Sequence, residues 1–374
     1  MKFKLSDICS YRKEKIAVSE LSRKNYISTE NMLPDKNGIT VATALPKTVQ
    51  TQKYKKGDIL VSNIRPYFQK IWFAKGDGGC SNDVLIFSAK NGIDSHYLYY
   101  LLANDSFFEY SMATAKGTKM PRGDKKALMK YEVPDFDLNE QHKIVGVLSA
   151  IDGKIQLNNK INKNLEQQAQ ALYKDRYIDL SPFSGKIPVG WHIGTVSEII
   201  ELHDSKRIPL SSREREKLDK IYPYYGATSV MDYVDRYLFD GIFLLLGEDG
   251  TVIDDKGFPI LQYVEGKFWV NNHAHIITGK NCFTVELLYL LFSLTNLKSI
   301  VTGAVQPKIS QTNLKKVSVL IPDDEELELF DRIIQPFFAQ IRILRTENDR
   351  LATIRDTLLP RLISGEIDVS SINV

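Results

Sequence analysis

The stretch KGTKMPRGDKKALMKYEV, Lys116–Val133, has a counterpart 186 residues later in TGAVQPKISQTNLKKVSV, Thr302–Val319. Five residues are identical in the two stretches, and each pair has this same separation: Gly117 and Gly303, Pro121 and Pro307, Leu128 and Leu314, Lys130 and Lys316, Val133 and Val319. Such a constant offset indicates that part of the chain is written twice.

The duplication extends towards the start of each copy. LSDI at Leu5–Ile8 matches VSEI at Val196–Ile199 with an offset of 191 residues. SNDVLIF matches NNHAHII, and YLYYLL matches LLYLLF, both with an offset of 190 residues. The offset changes by a few residues because surface loops tolerate insertions and deletions. Two copies of about 180 residues predict two similar domains and not an array of short repeats.

The composition is that of a soluble globular protein. The chain has 374 residues, of which 43% are hydrophobic and 25% charged, a length that predicts two or more domains. The first residues lack the apolar core of a signal peptide, and no run approaches 18 apolar residues, so we expect no membrane partner. Cys9, Cys80 and Cys282 are odd in number and far apart. A cytoplasmic location is therefore expected.

The charge is distributed unevenly along the chain. The net charge is +3, but residues 1–137 have 22 basic minus 15 acidic residues, which gives +7. Residues 323–374 have 6 minus 11, which gives −5. A basic first segment favours a polyanionic partner such as nucleic acid, and a solvated surface is the alternative interpretation.

Each copy has the same order of predicted elements. Short segments rich in β-branched and aromatic residues come first, followed by a short helix, the repeated stretch and a long helix that begins after Pro and acidic residues. We predict an α+β protein with two strand-rich domains joined by two long helices, as a pseudo-twofold internal repeat. The expected boundaries are 1–137 for the first domain, 138–180 for the first long helix, 181–322 for the second domain, and 323–374 for the second long helix with a C-terminal tail.

The two long helices have a repeat of 3.5 residues. In the first, the repeating positions are Ile144, Leu148, Ile151, Ile155, Asn158, Asn162, Leu165, Ala169 and Leu172. In the second, they are Phe330, Ile334, Phe337, Ile341, Leu344, Asn348, Leu351, Arg355 and Leu358. This period predicts a coiled coil, and the duplication makes an antiparallel pair natural. Asn162 and Asn348 lie near the middle of their helices, so we predict that they bond to each other and fix the register.

Segments that suggest catalysis also have simpler interpretations. His273 and His275 are two apart on a predicted strand and could share a metal ion, but no third ligand has a recognisable spacing, so a structural or DNA-facing role is favoured. GEDGTVIDDKG, Gly247–Gly257, has the carboxylates of a nuclease but also the pattern of a turn between strands. The chain has no Pro-Pro pair, which an adenine methyltransferase motif requires, and no P-loop. We therefore expect no catalytic residue and no metal site.

Four segments resemble the specificity subunit of Type I restriction-modification systems. They are GKIPVGWHIGTVSEI (Gly185–Ile199), KGDILVSNIRPYFQKIWFA (Lys56–Ala74), GAVQPKISQTNLKKVSVLIP (Gly303–Pro322) and LLPRLISGEIDV (Leu358–Val369). The resemblance covers essentially the whole chain. It implies two target recognition domains that each recognise one half of a bipartite DNA sequence, separated by helices that set the unread gap.

The resemblance also implies partners. The helices would bind two modification subunits, which bind S-adenosylmethionine and methylate adenine. Two restriction subunits, which use ATP with Mg²⁺, could join them. This chain would bind double-stranded DNA and have no cofactor of its own. A coiled-coil scaffold that binds only proteins, and a self-contained nuclease, are the alternatives.

Candidate DNA contacts are basic, amide and aromatic side chains on loops, since Arg and Lys suit guanine and phosphate while Asn and Gln suit adenine. They are Arg65, Tyr67, Gln69, Lys116, Lys119, Arg122 and Lys125 in the first copy, and Tyr224, Tyr225, Gln306, Lys308 and Gln311 in the second. Met120 stands where the second copy has Gln306, so contacts of that loop are not expected to be the same in both copies.

Overall fold

The computed structural model describes residues 2–303 and 305–370, and these form two units. The first unit consists of Met1–Gln156 and Asn348–Val374, and the second of Leu157–Glu347. The boundary between the two units therefore falls inside each long helix and not at its ends. The expected mixture of short strands and helices is confirmed in both units.

Between residues 2 and 137, the described chain of the first unit has ten strands and four α-helices before the first long helix. The strands are β1 Lys2–Lys4, β2 Cys9–Tyr11, β3 Lys15–Ala17, β4 Tyr26–Ile27, β5 Gln50–Tyr54, β6 Ile59–Ser62, β7 Ile71–Phe73, β8 Gly78–Cys80, β9 Val84–Ala89 and β10 Glu132–Pro134. The helices are α1 Leu5–Ile8, α2 Ser95–Ala103, α3 Asp105–Ala113 and α4 Lys125–Leu128.

Two four-stranded sheets form the body of the first unit. Their strand orders are β2-β9-β6-β7 and β3-β5-β8-β4, and β1 pairs with β10 in a separate ladder. β6 and β9 are buried along most of their length, and the apolar side chains of α2 and α3 cover one face of their sheet. This core also contains Ile144 and Leu148 from the first long helix and Leu362 from the second.

The second unit repeats this plan with a larger sheet. After the first long helix, α5 Leu138–Tyr173, come β11 His192–Thr195, β12 Ile200–Leu202, β13 Tyr222–Tyr225, β14 Val230–Val234, β15 Phe239–Gly247, β16 Leu261–Val270, β17 Ala274–Gly279 and β18 Ser318–Ile321. The helices are α6 Val196–Ile199, α7 Ser212–Arg215, α8 Val285–Ser293, α9 Gln311–Lys315 and the second long helix, α10 Asp324–Ser364. Six strands form one sheet in the order β12-β17-β15-β16-β13-β14, and β11 pairs with β18.

Both long helices begin in the same way. Asp137 Oδ1 accepts the N–H of Glu140 at 2.8 Å, and Asp323 Oδ1 accepts the N–H of Glu326 at 2.9 Å. These two caps are 186 residues apart, the offset of the repeated stretch. Each satisfies an N–H that the first helical turn leaves unpaired. α5 has 36 residues and α10 has 41.

The buried side of each long helix drifts away from the predicted heptad positions. Tyr173 is buried and Leu172 is 40% exposed, although the 3.5-residue period predicted Leu172. Phe338 is likewise more deeply buried than Phe337, and Leu359 is more deeply buried than Leu358. An α-helix has 3.6 residues per turn, so a face that packs on a domain core moves by about one residue over several heptads. The predicted seam is therefore wrong at these three positions.

The amides of α5 differ in their hydrogen bonding. Asn158 is fully buried, and its Nδ2 donates to Glu347 at 2.7 Å. Asn162 Oδ1 is buried and accepts no hydrogen bond from the described residues. The bond between Asn162 and Asn348 joins residues of different units and stays a prediction.

Among residues 2–303 and 305–370, no helix has both the length and the apolar character needed to cross a membrane.

Candidate nucleic-acid interface

The repeated stretch forms the same closed loop in both units. We call residues 116–125 and the described residues of the second copy, 302–303 and 305–311, the exit loops, because each one leads from its domain towards a long helix. In the first, Lys116 and Arg122 exchange two backbone hydrogen bonds of 2.9 Å. In the second, Thr302 and Lys308 do the same at 2.9 and 2.8 Å. Gly117 and Gly303 make the turns possible, since their φ angles are +91° and +88°.

Each exit loop is bonded to the loop that follows the central strand of its domain. The N–H of Arg65 donates to Pro121 O at 2.8 Å, and the N–H of Gly250 donates to Pro307 O at 2.9 Å. Pro121 and Pro307 are one of the identical pairs, so Gly250 is the structural counterpart of Arg65.

The same comparison of backbone bonds gives two further equivalences. The N–H of Asn63 donates to Asp83 O, and the N–H of Glu248 donates to His273 O, both at 2.8 Å. Asn63 therefore corresponds to Glu248, and Asp83 to His273. The two sites have one backbone arrangement but different side chains.

The turn Arg65–Gln69 lies beside the first exit loop. Arg65 and Gln69 adopt left-handed backbone conformations on either side of a single 3₁₀ turn. Tyr67 is 50% exposed, and its ring centroid is 4.6 Å from that of Phe68. Arg65 Nε is buried and bonded to no described residue. The exposed aromatic ring offers a surface on which a base or sugar can pack.

The cations of the first exit loop are held by carboxylates. Arg122 Nη2 lies 3.2 Å from Asp83 Oδ1, and Lys116 Nζ lies 2.6 Å from Asp124 Oδ2. The hydrogen bond from Lys116 and the N–H groups at the start of α4 lower the pKa of Asp124 to about 2. Lys119 and Lys125 are exposed. All seven candidates of the first unit therefore lie on two adjoining loops, three on the turn Arg65–Gln69 and four on the exit loop.

Tyr224 is a core residue of the second unit. Only 1% of it is exposed, and it packs in a cluster with Val234 and Trp269. Its hydroxyl accepts the N–H of Leu210 at 3.0 Å. We therefore no longer count it among the candidate contacts. Tyr225 packs against Phe268 but is only partly buried, so it stays a predicted contact.

The other three candidates of the second unit lie together on its exit loop. Gln306 is exposed. Lys308 Nζ lies 3.1 Å from Glu248 Oε1, and Gln311 Nε2 donates to Asp204 Oδ2 at 2.5 Å. As in the first unit, carboxylates behind the loop hold its polar side chains.

Behind the second exit loop lies a cluster of ionisable groups, in which Asp204 and His275 are buried and Arg207 and Glu248 are partly buried. His275 is fully buried, and its Nδ1 lies 2.6 Å from Asp204 Oδ2 while its Nε2 lies 2.8 Å from Ile309 O. Both partners are acceptors, so a ring with a proton on each nitrogen satisfies both contacts. Arg207 Nη1 donates to Glu248 at 2.6 Å.

The cations of this cluster keep its carboxylates ionised. Burial alone would raise the pKa of Asp204, but the hydrogen bond and charge of His275, the N–H of Ile276 and the charge of Arg207 outweigh it, and the pKa is lowered. For Glu248, burial is likewise outweighed by Arg207, His275 and Lys308, and its pKa is lowered.

The cluster also answers whether His273 and His275 share a metal ion, which the sequence left open. His273 and His275 do not share a site, because His273 Nδ1 lies 2.5 Å from Asp249 Oδ1 and is half-exposed. Asp204, Glu248 and His275 are close enough to ligate one ion. Each of their ligand atoms already has a protein partner, however, so the arrangement fits a hydrogen-bonded network better than a metal site.

Sequence reasoning missed Asp204 and Asn63, and it considered Glu248 only as one of the carboxylates of Gly247–Gly257. Asp204 bonds Gln311 across 107 residues, and Glu248 bonds Arg207 across 41. The sequence contained two signals for the cluster, the NNHAH segment at the start of β17 and the carboxylates that begin at Glu248, but nothing in the sequence linked them to each other.

The family model of the Type I restriction modification DNA specificity domain matches residues 1–167 and 188–353. The chain belongs to this family. The two matched segments contain both exit loops and most of both long helices. The resemblance stated from the sequence is thereby confirmed.

Relatives of the same family align with most of the chain. The Type I restriction enzyme MjaIX specificity subunit of Methanocaldococcus jannaschii is 26% identical over 346 residues, which cover 85% of this chain and 79% of the relative. The HindI specificity subunit of Haemophilus influenzae is 22% identical over 415 residues, 84% of this chain and 87% of the relative. A crystal structure of the Type-I restriction-modification system S subunit from M. genitalium shares the fold, with a TM-score of 0.54, 19% identity, and coverage of 97% of this chain and 96% of the other.

Proposed function

We propose that this chain is the DNA sequence-recognition subunit of a Type I restriction-modification complex. Each unit recognises one half of a bipartite, asymmetric DNA site through its exit loop and the loop beside it. The observation that carries this proposal is the pair of exit loops, which have the same backbone bonds but present Arg122 in one unit and Lys308 in the other. Equivalent positions with different side chains suit two half-sites of different sequence.

The long helices set the distance between the half-sites as an antiparallel coiled coil. Within the first unit, Arg355 Nη1 donates to Asp152 at 3.1 Å, and within the second, Asn158 Nδ2 donates to Glu347 at 2.7 Å. From the first contact to the second, the residue number rises in α5 and falls in α10, which supports an antiparallel order. A helix of 36 residues is about 54 Å long, more than the ~34 Å of one DNA turn.

The helices also bind two modification subunits, and the duplication explains how two identical partners find near-equivalent surfaces. These subunits supply S-adenosylmethionine and the methyl transfer to adenine. Restriction subunits, where present, supply the ATP and Mg²⁺ chemistry. This chain contributes recognition and spacing and has no catalytic group of its own, an assignment supported by the saturated bonding of Asp204, Glu248 and His275.

A methylation map tests this function. The chain is co-expressed with its modification subunit in a host without such marks, and the genomic DNA is sequenced with detection of modified bases. The expected result is a split motif with methyladenine in both halves. Absence of methylation, or one uninterrupted motif, contradicts the proposal and favours a scaffold that binds only proteins.

A further inference from the structure

The side chain of Gln311 is held by a carboxylate in a defined orientation. Its Nε2 donates to Asp204 Oδ2 at 2.5 Å. A carboxylate can only accept, so the nitrogen end of the amide must face Asp204. Its Oε1 accepts no hydrogen bond from the residues that the structure describes. The amide therefore has Oε1 and its second N–H left for a ligand.

The residues behind Gln311 are themselves fixed. Asp204 Oδ1 accepts the N–H of Ile276 at 2.9 Å, and Oδ2 also contacts His275 Nδ1 at 2.6 Å. His275 Nε2 in turn contacts Ile309 O at 2.8 Å. This chain of bonds starts at Ile309 and ends at Gln311, so both of its ends lie in the second exit loop. It sets the amide before any ligand binds, which reduces the ordering cost of binding.

Gln311 also lines an open cleft. The cleft has a volume of about 350 Å³ and is lined as well by Asp204, Lys280, Lys315 and Glu201. Lys280 and Lys315 are exposed, and neither is paired with an acid in the described part of the chain. The carboxylates of Glu201 and Asp204 balance the charge of the two lysines over the whole lining, but both lysines are exposed and unpaired among the described residues, so each can approach a phosphate of the DNA backbone.

We propose that Gln311 recognises an adenine in the half-site read by the second unit, and that Asp204 and His275 are positioning residues for it. This inference rests on the proposed function. An amide with a free oxygen and one free N–H matches the major-groove edge of adenine, where N6 donates and N7 accepts.

The first unit lacks this arrangement. The counterpart of Gln311 is Lys125, at the offset of the exit loops, and the counterpart of His275 is Leu85, at the offset of β9 and β17. A lysine cannot accept from adenine N6, and a leucine cannot bond an exit-loop carbonyl. The adenine contact is thus specific to one half-site.

The test uses the complex of the chain with its modification subunit and DNA duplexes that carry the mapped motif. Each adenine other than the methylated ones is replaced in turn by 7-deazaadenine, which lacks the N7 acceptor but still pairs with thymine. For the wild-type complex, one position should lower the affinity about tenfold at fixed salt. With Gln311→Ala, the unmodified duplex should bind about tenfold more weakly, and 7-deazaadenine at that position should cause no further loss.

The positioning residues are tested with Asp204→Asn and His275→Leu. Each should weaken the response to 7-deazaadenine at the same position while leaving discrimination in the other half-site unchanged. A merely structural role would instead lower the melting temperature and weaken both half-sites alike. Lys125→Ala is the matched control from the first unit, and it should leave the response of the Gln311 position intact. If the Asp204 or His275 variants do not fold, the Gln311→Ala comparison still decides the central point.

Three results would overturn the inference: a half-site for the second unit without any unmethylated adenine, no position sensitive to 7-deazaadenine, or full sensitivity retained in Gln311→Ala. These outcomes differ from failure of the proposed function. If the wild-type complex produces no split motif, the function is wrong. If the wild-type complex produces a split motif but Gln311→Ala changes the response to 7-deazaadenine at no position, only this inference is wrong.

Discussion

Single side chains decide both the stability of the long helices and the charge of the exit loops. Asn162 Oδ1 is buried and accepts no hydrogen bond from the described residues, whereas Asn158, four residues earlier, donates through its Nδ2 to Glu347. Asp124 is held by Lys116 and by the N–H groups of α4. Neighbouring positions of similar chemistry therefore predict opposite effects of substitution.

Replacing Asn162 with Leu should stabilise the protein. A buried polar atom left unpaired costs about 1–3 kcal/mol, and the leucine removes this cost while adding apolar surface to the helix. We expect the free energy of unfolding to rise by about 1 kcal/mol, measured by urea denaturation. Asn158→Leu is the matched control and should lower it, because Glu347 loses a hydrogen bond. The two expectations for Asn162 differ, since a loss of stability for Asn162→Leu would instead support the predicted bond to Asn348.

Asp124 should titrate well below an ordinary aspartate. Its pKa is lowered to about 2, so its contribution to loop stability is complete above the ordinary value of about 3.9 and is lost as the pH falls towards 2. Lys116→Met should raise this pKa, but not to the ordinary value, because the N–H groups of Lys126 and Ala127 still donate to the carboxylate. The carboxyl ¹³C shift of Asp124 against pH measures both values. An unchanged midpoint in the variant would exclude the Lys116 contact.

At the scale of elements, the two exit loops have the same backbone bonds but differ in how well they tolerate a side chain at Gly117 and Gly303. Both glycines have φ near +90°, a conformation that costs other residues about 1–3 kcal/mol. A Cβ on Gly117 would lie 3.4 Å from Met120 O, an acceptable contact. A Cβ on Gly303 would overlap Gln306 O, so the loop would have to open.

Gly303→Ala should therefore disrupt its loop more than Gly117→Ala. The amides of Thr302 and Lys308, which close the second loop, should lose hydrogen-exchange protection in Gly303→Ala. Those of Lys116 and Arg122 should keep most of theirs in Gly117→Ala. Equal loss in both variants would mean that backbone strain alone governs the effect.

The sequence predicted these elements better than their surfaces. The duplication, the long helices and the exit loops follow from offsets and periods that can be seen in the amino-acid sequence. The burial of Tyr224 does not, because YPYY in β13 gives no sign of which tyrosine faces the core. The cluster around His275 was missed for a related reason, since its bonds join segments that only the folded sheet brings together. The drift from Leu172 to Tyr173 depends on the core against which α5 packs.

At the scale of the whole molecule, the proposed spacing makes the helices a measuring device that can be lengthened. One heptad inserted after Gln156 and another before Asn348 adds about 10.5 Å to each helix and preserves the heptad register. At about 3.4 Å per base pair, the unread gap in the methylation map should grow by about three base pairs, with both half-sites unchanged. A heptad in one helix alone is the control and should abolish methylation, because the seam no longer matches. An unchanged gap in the double insertion would exclude the helices as the spacer.

The partners of the exit-loop cations have a consequence for how such chains can be shuffled. In the first unit the acid lies at Asp83 and the equivalent of Glu248 is the neutral Asn63, whereas in the second unit the acid is Glu248 and the equivalent of Asp83 is His273. A crossover between these two positions would give the loop cation either no carboxylate or two. Exchange of a whole domain therefore keeps the charges around the loop cation balanced. A breakpoint inside the sheet does not. We therefore expect specificity to be inherited by the exchange of whole domains.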